Sequence, residues 1–270
     1  MERHHLNTEF EWKPHRGPFR IVSEAQARQY DEQGYFVFED VFDAETIQTL
    51  IEAIDPIEAE LEQMIRDKYG GKALIARADE ITFTAHLVAQ SEVARAFTRH
   101  RFFCDIVHDL IGPDVRLYWD QSVYKKPGTK APFPWHQDNG YTFVEPQQYL
   151  TCWVALTDAT EENGCPWVLP GKHHMGTYAH ELSDLGFVCA REPEGAVPAP
   201  ARAGSVVVFS SLTPHATGAN VSDSTRKSYI VQFAPDGAER ISEVDGQLVR
   251  EQANAPERQY PILVNGEVPA

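Results

Sequence analysis

Up to Gly112 the apolar residues recur every three to four positions, and beyond it they come in short, dense runs cut by turn residues. The stretch SEAQARQYDEQG begins at Ser23, which predicts an N-cap, and closes on Gly34, which predicts a C-cap. YFVFEDVF follows as a short strand. DAETIQTLIEAIDPIEAELEQMIRDKYGG places Ile47, Leu50, Ile51 and Ile54, then Leu61 and Ile65, on one helical face. Pro56 predicts a kink or split there, because proline has no amide hydrogen and crowds the preceding turn. EVARAFTRHRFFCDIVHDLIG reads as one more amphipathic helix, closed by Gly112.

From there the period shortens. DVRLYWDQSVYKKPG reads as a strand that Pro127 and Gly128 stop. PWHQD comes next, then LTCWVALTDAT, CPWVLPG, GSVVVFSS and SYIVQFAP, β-branched and aromatic-rich runs separated by Gly, Pro, Asn and Asp. Such a series predicts a sandwich or barrel. Residues 201–209 are almost continuously apolar, as a strand covered on both faces must be. The segment from about 177 to 203, with Pro193, Pro198 and Pro200, reads as a long loop of the kind that serves as a lid or binding loop. The expected organisation is one domain over residues 1–270, with residues 1–20 as an N-terminal extension and helices packed outside a β core.

Composition narrows the function. At 270 residues, 42% hydrophobic and 24% charged, the chain can bury a large core without staples. No apolar run is long enough to span a membrane, and the polar N-terminus predicts no secretion signal. A net charge of −16 speaks against nucleic acid partners, which need clustered Lys and Arg, but leaves room for a small anionic substrate met by local basic residues. The four cysteines form no CxxC pair and predict reduced, mostly buried thiols in a cytoplasmic protein. His4 and His5 make neither a tag nor a site.

The candidate chemistry lies in PFPWHQDNGYTF. Alternate residues of a strand share a face, so His136 and Asp138 can turn toward one divalent ion. The other reading is a surface histidine beside a turn-capping aspartate. His215, after a buried-type strand and before a Gly/Asn/Ser-rich turn, supplies a distant third ligand. Two imidazoles and one carboxylate on one face of an octahedron leave three positions open, enough for a chelating 2-oxo acid and O₂. A structural zinc site would instead be closed by four ligands. Arg226 stands eleven positions after His215. If the strand it opens pairs with the one that carries His215, its guanidinium reaches the pocket floor and can grip a carboxylate in a fork.

In PWHQDNGY, WVALTDATEENGCPWVLPGKHHMG and HATGANVSDSTRKSYIVQF the chain resembles the phytanoyl-CoA dioxygenase family of Fe(II)- and 2-oxoglutarate-dependent oxygenases, from about Glu24 to Pro235. The resemblance implies a double-stranded β-helix, a jelly roll of the cupin type, flanked by N-terminal helices. It implies Fe(II) at His136, Asp138 and His215, and 2-oxoglutarate at Arg226, with the hydroxyl of Thr217 on the same carboxylate and Trp153 and Gln121 in the cosubstrate pocket. Related halogenases replace the carboxylate ligand with a small residue. Asp138 is intact, so the expected reaction is hydroxylation of a small molecule, with O₂ consumed and 2-oxoglutarate decarboxylated to succinate and CO₂. The alternative is a cupin-like metal-dependent hydrolase or isomerase, which would need a carboxylate base beside the metal and no Arg226. Family members act on fatty acyl-CoA thioesters, amino acid derivatives and natural products. An acidic chain offers no broad basic groove for a CoA nucleotide, which favours a smaller guest. Neither the substrate nor the oligomeric state is legible.

Other positions carry weaker signals. Asn163-Gly164 predicts a hairpin turn, and Cys165 beside it a packed thiol. His173 and His174 read as solvent-exposed loop histidines, Lys125 and Lys126 as solvated lysines of an edge strand. Gln137 points away from the metal in a regular strand unless twist brings it to the cosubstrate rim. Tyr141 and Phe143 are either core aromatics or a substrate wall.

Overall fold

Among the described residues, 1–269 of this computed structural model, there are four α-helices and eighteen strands; all four helices precede Gly112 as the pattern predicts, but so do three strands it did not predict, Lys72–Ala73, Ala76–Arg77 and Ile81–Ala85. Helix Glu24–Gln33 is fixed at both ends. The Ser23 hydroxyl accepts from the Gln26 amide and the Gln26 side chain accepts from the Ser23 amide, while Gly34 stops the helix at φ +84. A Cβ on Gly34 would stand 2.4 Å from Thr213 Oγ1, so only glycine serves there.

Two helices are divided otherwise than expected. Helix Ala44–Tyr69 is not split at Pro56. Burial of Ile47, Leu50, Ile54 and Ile65 along it outweighs the one amide that proline removes. The single helix expected up to Gly112 is two, Glu92–Phe97 and Arg101–Leu110. His100 interrupts it as a cap, its Nδ1 accepting from the Phe102 amide at 3.2 Å, and Thr98 fills the gap by bonding the Tyr260 hydroxyl at 2.7 Å.

The main sheet is antiparallel along its long strands, in the order Tyr35–Phe38, Val206–Ser210, Leu150–Ala155, Arg226–Pro235, Val115–Lys125, Ile81–Ala85. The short strands Ala76–Arg77 and Lys72–Ala73 extend it, and Pro261–Leu263 joins beside Val115–Lys125. Its strands read as continuous apolar runs because both faces are covered. Val206 and Val208, Cys152 and Val154, Tyr229, Val231 and Phe233 turn outward into one core with the helix residues Tyr30, Leu50, Phe97 and Phe103. Val207 and Phe209, Trp153 and Ala155, and Ile230 turn inward. The alternation is the strand's period of two, so each strand owes one set to the helices and the other to the interior.

Facing the inner side is a smaller sheet, Val197–Pro198, Pro166–Val168, His215–Thr217, Phe133–His136. Phe133, Cys165 and Ala199 close the inner core from that side. This is the expected jelly roll with helices on its outer face. Phe143–Glu145, Glu239–Val244 and Gln247–Gln252 make a further three-stranded sheet at one end.

Residues 177–203 are less of a bare loop than their composition suggests. Glu181–Ser183 pairs with Gly186–Val188, Ala190 bridges to Trp135, and Val197–Pro198 joins the small sheet. Asn163-Gly164 does make a turn, with Gly164 at φ +87 and Asn163 Oδ1 accepting from the Thr160 amide. It makes no hairpin, because the strands on either side, Leu150–Ala155 and Pro166–Val168, lie in different sheets and the turn carries the chain across. Among the described residues no helix is long and apolar enough to cross a membrane.

Candidate active site

Strand Phe133–His136 runs antiparallel to His215–Thr217 with His136 opposite His215. That register brings two imidazoles together from positions far apart in the chain, their ring centroids 4.1 Å apart. Each ring is oriented by a backbone carbonyl: His136 Nδ1 lies 2.8 Å from Pro134 O, and His215 Nδ1 lies 3.0 Å from Thr213 O. A carbonyl only accepts, so each Nδ1 carries the proton and each Nε2 lone pair faces inward. Asp138 Oδ1 stands 4.0 Å from His136 Nε2 and 3.7 Å from His215 Nε2. One donor atom from each of the three lies within 4.8 Å of the other two, and no second such group occurs among the described residues.

His136 and Asp138 do not share the strand face that alternation predicted. The strand stops at His136, and Asp138 opens a short 3-10 turn, Asp138–Gly140. The turn, not strand alternation, aims the carboxylate. Gln137 holds it in place from beneath. Its side chain donates to Gly176 O at 3.0 Å and accepts from the Tyr178 amide at 2.6 Å, so it is a buried tether and lies outside the cavity lining.

Burial pushes His136 down to about 3, with His215 adding to it, and burial pushes His215 down to about 4. Both are therefore neutral, the form that ligates a cation. Burial raises the Asp138 carboxyl while His136 and Thr151 oppose that rise. Asp138 Oδ2 accepts from Thr151 Oγ1 at 2.5 Å, and Thr151 in turn accepts from Gln232 Nε2 at 3.3 Å. A Thr151→Val substitution keeps the shape and removes the donor. Metal affinity and turnover are expected to fall about tenfold, since partners of ligands commonly carry that much. An iron titration on the variant checks it.

The three residues open onto a cavity of about 300 Å³ between the sheets. Arg226 enters it from the opposite wall. It begins strand Arg226–Pro235 of the main sheet, which pairs with Val115–Lys125 and Leu150–Ala155 and not with the strand of His215. The expected route by direct pairing is thus wrong, and the guanidinium arrives from the facing sheet. It is wholly buried. Nη1 donates to Ser228 Oγ at 2.6 Å, whereas Nε and Nη2 have no partner. Those two nitrogens are the side-on edge that fits a carboxylate in a fork. Burial draws this guanidinium down to about 10, and its carbon lies 5.3 Å from the centre of the Trp153 ring.

Thr217, Trp153 and Gln121 all line the cavity. Lys125 was expected on a solvated edge. It sits instead in an inner strand, fully buried, its ammonium donating to Thr217 Oγ1 at 3.3 Å and to Gly218 O. Burial and the charge of Arg226 bring it down to about 7. Lys126 is also paired, with Glu58 at 3.0 Å and Glu62 at 3.2 Å. His173 is buried against Trp12 with Nε2 3.0 Å from Asp31 O, and only His174 is exposed as expected. Tyr141 belongs to the cavity wall, while Phe143 is buried elsewhere, stacked on His4. All four cysteines are free, and Cys165 is packed.

Sequence reasoning missed Thr151, Gln232, His86, Arg240 and Arg258, which also line the cavity. Thr151 and Gln232 had a usable signal: each is a polar residue at an inward position of an otherwise apolar strand. The other three had none, since they lie on irregular or exposed-looking stretches.

A family model described as phytanoyl-CoA dioxygenase (PhyH) matches residues 30–228. A probable alpha-ketoglutarate-dependent hypophosphite dioxygenase of Stutzerimonas stutzeri is 25% identical over 228 residues, 77% of each chain. Among solved structures, the epimerase SnoN in complex with Fe3+, alpha ketoglutarate and nogalamycin RO superposes with a TM-score of 0.67 at 22% identity, over 88% of this chain and 98% of that one. The non-haem alpha ketoglutarate dependent carbocyclase SnoK from nogalamycin biosynthesis gives 0.66 at 26% identity, over 82% and 87%.

Proposed function

The chain belongs to the phytanoyl-CoA dioxygenase family, and from that membership we infer that His136, Asp138 and His215 hold iron(II) and that Arg226 holds the distal carboxylate of 2-oxoglutarate. The chain is an Fe(II)- and 2-oxoglutarate-dependent oxygenase of a small molecule. Hydroxylation is the outcome that an intact Asp138 favours. The observation that carries the assignment is the pairing of two features in one cavity: three convergent donors with inward lone pairs, and a buried guanidinium whose side-on edge has no protein partner.

Each residue has a task. His136 and His215 are held as neutral donors by Pro134 O and Thr213 O, so no proton need leave before a cation enters. Asp138 supplies the single negative charge of the ligand set and is kept in place by Thr151. Arg226 fixes the cosubstrate at one point, and Thr217 adds a hydroxyl beside it. The apolar walls from Phe133, Ile230 and Phe209 keep water from the reacting atoms. Bound there, iron with 2-oxoglutarate and O₂ supplies the oxidant, and the cosubstrate leaves as succinate and CO₂.

A cupin-like hydrolase is disfavoured because Asp138 is the only carboxylate lining the cavity among the described residues, which leaves no separate base. The four free thiols support a cytoplasmic setting. Anaerobic addition of Fe(II) and then 2-oxoglutarate should produce a weak visible charge-transfer band, and substrate should release one succinate per turnover. A protein that binds Fe(II) yet shows neither band nor succinate with 2-oxoglutarate refutes the reading.

A further inference from the structure

The far end of the cavity carries donors that neither the three ligands nor Arg226 accounts for. Arg226 and Gln232 lie on the same inward face of strand Arg226–Pro235, six positions and so about 20 Å apart. Gln232 stands opposite Trp119, and His86 packs on Trp119 with ring centroids 4.3 Å apart. Arg258 Nη1 lies 2.8 Å from His86 Nε2. A guanidinium has no acceptor, so His86 Nε2 must accept and the ring's proton must sit on Nδ1. Arg240 completes the group beside Tyr118, where its charge opposes the burial-driven rise of that phenol's pKa.

The decisive feature is what these groups lack. Among the described residues, His86 Nδ1, Arg240 Nε and Arg258 Nε are buried donors with no partner, as are Nε and Nη2 of Arg226 at the other end. Every unpartnered buried polar side-chain atom on this cavity's lining residues is a nitrogen that donates, and none is an acceptor. Glu251 takes Arg240 Nη2 at 2.9 Å on the exposed side, and Glu257 comes no nearer than 3.8 Å to Arg258. The lining thus sets three arginines against one carboxylate, in a chain whose net charge is −16. Buried donors of this kind are costly unless a ligand brings acceptors.

Building on the oxygenase reading, we propose that the substrate is a small organic anion whose carboxylate-, sulfonate- or phosphate-type group is held by His86, Arg240 and Arg258. Its carbon skeleton then lies along Tyr118 and Tyr149 toward His136, Asp138 and His215. About 300 Å³ must admit this molecule together with the cosubstrate, which excludes a nucleotide thioester from the enclosed part.

Matched probes of one size test this: phenylphosphonate and benzoate against neutral benzamide, titrated calorimetrically into anaerobic protein loaded with Fe(II) and 2-oxoglutarate. The anions should bind at least about tenfold more tightly than the amide, as charge-assisted bonds do. The Arg240→Gln/Arg258→Gln double variant should lose that preference while its 2-oxoglutarate affinity stays at the wild-type value. Benzamide binding the wild type as well as benzoate does, or a folded double variant that keeps the preference, overturns the proposal. Should the double variant not fold, the wild-type comparison of acid and amide decides alone. Repeating the benzoate titration without metal or cosubstrate, on Arg226→Gln and on Arg226→Gln carrying the double change, reads the anion site independently. A missing Fe(II)–2-oxoglutarate band therefore sinks the oxygenase reading without deciding this one.

Discussion

His136→Ala is expected to abolish the Fe(II)–2-oxoglutarate charge-transfer band and to cut succinate release at least about 100-fold, because even partners of metal ligands commonly carry 10- to 100-fold. Among the described residues only three protein donors converge, so losing one leaves a His/Asp pair that cannot hold the ion on one face. His136 is also the ring that Pro134 O pre-orients and that His215 opposes across the strand pair. The fold should survive. Both imidazoles are neutral at the rim of a cavity, and alanine leaves strand Phe133–His136 its backbone pairing. Circular dichroism and thermal midpoint serve as the control. A well-folded variant that retains both band and turnover would remove His136 from the metal site.

Arg226→Gln is expected to weaken 2-oxoglutarate binding by about 10- to 100-fold, the equivalent of roughly 1.5–3 kcal/mol for a hydrogen bond to a charged group. Iron binding in the absence of cosubstrate should be unaltered, since Arg226 approaches from the other sheet. Arg226→Lys should not restore affinity, because a single ammonium cannot offer two parallel N–H groups and would stand beside buried Lys125. The ligand-free protein adds an independent check. A buried guanidinium with two unpartnered nitrogens is a standing cost, so the glutamine variant should melt no lower than wild type without cosubstrate. Saturating 2-oxoglutarate should then raise the wild-type midpoint much more than the variant's, as mass action on the folded state requires. Equal cosubstrate affinity in the two proteins would move the carboxylate site elsewhere.

The sequence alone set the class of fold, since a helical period giving way to short apolar runs leaves few architectures. It also set the inward and outward faces of the long strands, because side chains alternate whatever the strand pairs with. The histidines, Asp138 and Arg226 stood out by residue type and by the motifs around them. What local pattern could not supply was anything that depends on which strand lies beside which. Lys125 reads as an edge lysine until Ile81–Ala85 is seen covering that edge. Asn163-Gly164 has hairpin chemistry, yet its flanking strands were claimed by different sheets. Asp138 sits where a strand would continue, but the buried tether of Gln137 and the packing of His180 on Gly140 bend the chain into a turn. His100 caps a helix that periodicity alone would have run straight through. Arg240 and Arg258 look like surface charge in sequence, and become cavity lining only when residues near the C-terminus fold over Tyr118. Period and residue type are local properties that a short stretch fixes by itself. Partnership is a property of the closed jelly roll, and only long-range pairing decides it.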